Sequence, residues 1–106
     1  MSARPARLAA AVALALLALT GCTSHTVRCS GGTCAVSLSG EQTVEIEIGT
    51  YERDLRVAPI EAGAVTLTVR GESARVATGE TATVGGLAVQ VDGVSGQDVE
   101  LRVTRA

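Results

Sequence analysis

The chain of 106 residues has no tryptophan, phenylalanine, lysine or asparagine, and only one tyrosine, Tyr51, and one histidine, His25. With a single tyrosine it lacks the stacking platform that nucleic-acid bases need, and sugar binding by aromatic stacking is equally unsupported. A catalytic arrangement that needs histidine would have to use His25. No apolar run is long enough to span a bilayer. The longest, residues 8–19, covers about 18 Å as a helix, against a hydrocarbon core of roughly 30 Å. Basic charge is also scarce. Two of the nine arginines lie before residue 8 and all eleven acids lie after residue 40, so residues 22–106 carry −4. That balance disfavours nucleic acid and anionic lipid surfaces, which need a basic footprint.

What is present begins with a leader. Arg4 and Arg7 precede the apolar residues 8–19, the order of a positive n-region and an h-region. The apolar run ends in Leu19-Thr20-Gly21-Cys22. These residues resemble the lipobox of bacterial lipoproteins: an aliphatic residue, a small one, glycine and then cysteine. The resemblance implies thioether attachment of a diacylglycerol to Cys22, cleavage before it so that residues 1–21 are removed, and often acylation of the new amino group. Two or more acyl chains make a lasting anchor, at about 0.8 kcal/mol per buried CH₂. The chain is also rich in Ala, Val, Gly and Arg, a bias of GC-rich genomes. With the lipobox, this layout resembles the small, uncharacterised lipoproteins of actinobacteria. That likeness implies a place on the outer face of the cell membrane. The membrane would be a partner through the lipid on Cys22, beside an unknown membrane-proximal envelope protein or ligand. No cofactor is implied.

The 85 residues from Cys22 onward make one small domain. Residues 22–25 read as a short lipidated tether and residues 26–106 as a single β-domain. Thr23, Ser24 and His25, fully extended, reach about 10 Å, so the domain is expected to sit against the bilayer. His25 then belongs to a solvated linker, and a buried catalytic histidine is not expected.

Of the three cysteines, the lipid would use Cys22. Cys29 and Cys34 remain, on either side of Ser30-Gly31-Gly32-Thr33. Gly31-Gly32 suits a two-residue hairpin loop, where positive φ costs glycine nothing. Folding about it sets Ser30 opposite Thr33, Cys29 opposite Cys34, Arg28 opposite Ala35 and Val27 opposite Val36. The cysteine pair is then of the non-hydrogen-bonded kind, with Cα atoms about 4.5 Å apart, at the short end of the disulfide range. Val27, Cys29, Cys34, Val36 and Leu38 fall on one face. The spacing therefore predicts a cross-strand disulfide pinning an amphipathic hairpin, with about 2 kcal/mol from a six-residue loop. A redox couple is disfavoured because four residues, not two, separate the cysteines. A metal site of His25, Cys29 and Cys34 lacks an evident fourth ligand.

Strict alternation marks the rest. Val44, Ile46 and Ile48 alternate with Glu45 and Glu47; Leu55 and Val57 with Asp54 and Arg56. Val65, Leu67 and Val69 alternate with Thr66, Thr68 and Arg70; Val99, Leu101 and Val103 with Glu100 and Arg102. Period two with one apolar face indicates half-buried strands. Gly40, Gly49, Pro59, Gly63, Gly71, Gly79, Gly93 and Gly96 punctuate the gaps. Gly85-Gly86 predicts a second hairpin, with Val84 opposite Leu87 and Ala82 opposite Val89. A faint repeat appears at an offset of 34: Val57, Ile60, Val65, Leu67 and Val69 match Val91, Val94, Val99, Leu101 and Val103. The expected fold is all-β, a small antiparallel β-sandwich or barrel of about eight short strands.

Glu45, Glu47, Glu52 and Asp54 form an acidic group suited to a cation or to paired carboxylates, although strand charges facing solvent account for them as well. Tyr51 is expected at the core edge or on a contact surface. No catalytic, cofactor or metal residues are assigned. The sequence points to a lipid-anchored, extracytoplasmic, non-catalytic interaction or scaffolding domain, with a small ligand- or cation-binding module as the alternative.

Overall fold

The computed structural model describes residues 23–106. The leader and Cys22 lie outside the described residues. Nine strands follow one another: β1 (Ser24–Ser30), β2 (Thr33–Ser39), β3 (Gln42–Ile48), β4 (Tyr51–Glu61), β5 (Ala64–Val69), β6 (Glu72–Ala77), β7 (Thr81–Val84), β8 (Leu87–Ser95) and β9 (Asp98–Arg105). They build two antiparallel sheets, one ordered β1-β2-β9-β8-β7 and the other β3-β4-β5-β6. The alternating apolar residues of both sheets meet between them. Ile46, Leu55, Leu67, Leu87 and Leu101 are among the largest fully buried side chains, and no polar or charged residue is buried among those described. The core is thus aliphatic, as an aromatic-poor sequence requires. Among the described residues no helix is long and apolar enough to cross a membrane.

Both diglycine hairpins form in the expected register. Cys29 faces Cys34 and Val27 faces Val36 across β1 and β2, and Val84 faces Leu87 with Ala82 opposite Val89. A disulfide joins Cys29 to Cys34, with Cα atoms 4.0 Å apart. The shared face of this hairpin is only half covered. Cys34, Val36 and Leu38 are buried, whereas Val27 is half-buried and Cys29 exposed. Edge strand β1 touches the second sheet at its start, where the Gln42 side chain of β3 donates to the Ser24 carbonyl.

The expected tether is also shorter. Ser24 and His25 belong to β1, paired with Ser39 and Leu38, because the β2 edge extends far enough to take them into the ladder. His25 is therefore not linker. Its Nδ1 lies 2.9 Å from Oε1 of Gln42.

The repeat at offset 34 is structural. Val57 pairs with Leu67 and Ile60 with Val65, around a shift in register. Val91 pairs with Leu101 and Val94 with Val99, around a matching shift. Pro59 and Gly93 occupy equivalent places in these two bulges and do not end strands as their residue types suggested. Gly93 resumes the ladder opposite Glu100 just past its shift, and Pro59 lies between the paired Val57 and Ile60; the irregular pairing at a bulge tolerates both residue types. The equivalence extends further. Leu38 pairs with Val99 and Val36 with Leu101, while Val76 pairs with Val65 and Ala74 with Leu67. Strands β2-β3-β4-β5 thus correspond to β6-β7-β8-β9, and the first strand of each set completes the other set's sheet. Two backbone bonds repeat the relation: Gly40 N–H donates to the Gln97 carbonyl (2.9 Å) and Thr78 N–H to the Gly63 carbonyl (3.0 Å). Only β1 has no counterpart.

Candidate functional site

Because every strand reverses direction, the turns collect at two ends. One end holds the start of β1 and the turns around Gly40, Gly63, Gly79 and Gly96. The other holds the hairpin loops at Gly31-Gly32, Gly49-Thr50, Arg70-Gly71 and Gly85-Gly86, together with the end of β9. The lone tyrosine sits at this second end.

Tyr51 is the first residue of β4 and shares its inward parity with Arg53, Leu55 and Val57. Its ring closes the end of the core, half-buried. The Arg53 guanidinium lies over the ring, 3.9 Å from the centroid, and that of Arg105 at 4.5 Å. A cation over an aromatic face is attracted by the ring quadrupole. Arg53 is fixed further by two backbone acceptors: its Nε donates to the Gly85 carbonyl at 3.1 Å and its Nη1 to the Glu52 carbonyl at 2.7 Å. The Gly85-Gly86 loop is drawn down onto this cluster. Gly85 N–H donates to the Glu72 carboxylate, and a Cβ at Gly85 would overlap Val69. An open recess of about 390 Å³ remains, lined by Tyr51, Arg53, Arg70, Glu72, Gly85 and Gly86.

The acidic residues form a neighbouring strip. Glu45 pairs with Asp54 and Glu47 with Glu52 across β3 and β4, all on the solvent face. Their crowding is felt at Glu47, whose carboxyl is held above the ordinary carboxylate range. The cause is first a hydrogen bond shared with Glu45, then repulsion from Glu52 and Glu45. Among the described residues, no three His, Cys, Asp or Glu side chains converge in a way that would hold a metal ion. Cys29 and Cys34 are consumed by their disulfide, and the Cys34 sulfur rests 3.6 Å from the Glu47 carbonyl.

Of the residues singled out in sequence, Tyr51 thus lies at a built cluster. Arg53, Arg70 and Arg105 were missed, although the parity of Arg53 with Leu55 and Val57 already turned it inward. No known protein family, curated protein or solved structure matches this chain.

Proposed function

We propose that this protein is a lipid-anchored, extracytoplasmic interaction domain, held at the outer face of the cell membrane through Cys22 and presenting the Tyr51 end to its partners. The observation that supports it most is the position of β1. This strand begins at Ser24, two residues beyond Cys22. It opens at the end of the sandwich opposite the Tyr51 cluster. A lipid on Cys22 would hold the first end at the headgroups and leave the second about 20 Å further out, the length of a seven-residue strand. Glu41, Glu80 and Asp98 lie at the turns and strand ends of the first end, where Glu61 is paired with Arg75, so anionic headgroups would repel it and favour an upright domain.

The test is fractionation of cells expressing the parent or Cys22→Ala. The parent is expected in the membrane fraction, and the variant in the soluble fraction or as unprocessed precursor. A variant that still partitions with lipid, cleaved at the same bond, would overturn the reading.

A further inference from the structure

We infer that the recess between Arg53 and Arg70 binds an oxyanion, a phosphate or carboxylate group carried by a ligand of this domain. The inference concerns described residues only and stands whether or not Cys22 carries lipid.

Four observations carry it. First, the Arg53 guanidinium is pre-organised. Two backbone carbonyls and the Tyr51 ring hold it, so a ligand need not order it on arrival. Second, Arg70 has φ +52° and is the only described residue besides glycine with positive φ. Its two-residue turn favours Gly, Asn or Asp at that place. Such conformations gather at ligand sites, and here the residue that adopts one is an arginine lining the recess. Third, neither guanidinium has a carboxylate within ion-pair distance. Among the described residues the ion pairs are Arg75 with Glu61 and Arg102 with Asp92. Fourth, the Glu72 carboxylate on the recess wall is tied to the loop by the Gly85 N–H, and its single negative charge is outnumbered by the two guanidiniums that line the same recess. The Tyr51 hydroxyl is directed at the Gly85 carbonyl, 3.5 Å away, so the donors to spare in this open space belong to the two guanidiniums. Guanidinium forks match the geometry of carboxylates and phosphates.

The sole aromatic of the chain lines this recess, so its fluorescence reports on this place alone. Purified full-length protein in neutral detergent would be titrated with inorganic phosphate, with acetate, and with chloride at matched ionic strength. A saturable change with phosphate or acetate but not chloride is expected. Saturation by phosphate alone would identify a phosphate site, and by acetate alone a carboxylate site. Arg70→Gly should weaken the response at least tenfold while raising Tm, because glycine relieves the positive φ. Arg75→Gln, further along β6 from the recess, should respond as the parent. A linear response like that of collisional quenching, an equal response to chloride, or an Arg70→Gly variant that binds as the parent does would overturn the inference.

Discussion

Gly86 lies against the Tyr51 hydroxyl so closely that a Cβ on the glycine would overlap the oxygen. The β7–β8 loop is therefore seated on the ring that closes the core. Gly86→Ala meets two penalties: an L-residue at φ +84°, costing about 1–2 kcal/mol, and displacement of a ring braced by two arginines, another 1–3 kcal/mol or so. Gly31→Ala meets only the first, since nothing lies within 4 Å of its Cβ position. Thermal unfolding of the two variants should show the larger loss at Gly86. Equal losses would mean that the loop does not press on Tyr51.

Reduction of Cys29–Cys34 should lower stability by about 2 kcal/mol, roughly 10 °C in Tm for a domain of this size. The loss should not be spread evenly. β1 is an exposed edge strand with pairing on one side only, so its amides should gain hydrogen exchange first. Those of β9, between β2 and β8, should stay protected. Uniform deprotection of both strands would show that the bridge supports the whole core.

Most of the fold was legible because alternation and turn chemistry agreed. Val44, Ile46 and Ile48 could point inward in only one register, and both diglycine loops fixed their hairpins independently of it. Pro59 and Gly93 were misread because a bulge and a strand end share the same residue types; their equivalence at offset 34 was the available signal. The reach of β1 back to Ser24 was not legible, since Ser24 and His25 show no alternation and pair only because β2 offers a long edge. The same limit applied to the Tyr51 cluster. Arg70 and Arg105 are far from Tyr51 in sequence, and antiparallel topology alone gathers them.

Lowering pH should relieve the acidic strip. The Glu47 carboxyl is raised in the folded protein, so the fold binds that proton more tightly than the unfolded chain does. At neutral pH its charge opposes folding. As pH falls through the raised folded value toward the ordinary carboxylate range, that opposition is lost. Glu47→Gln should therefore raise Tm at pH 7 and differ less from the parent near pH 4. Divalent cations should act on the parent only as ionic strength does. A cation-specific rise in Tm, absent from Glu47→Gln and Asp54→Asn, would favour the cation-binding alternative.

The central proposal concerns position 22, and intact-mass analysis of the protein extracted from its native membranes addresses it directly. The account predicts a polypeptide beginning at that cysteine, heavier than its sequence by a thioether-linked diacylglycerol, with or without a further acyl group on the amine. A different first residue, or a sulfur bearing no lipid, would contradict it.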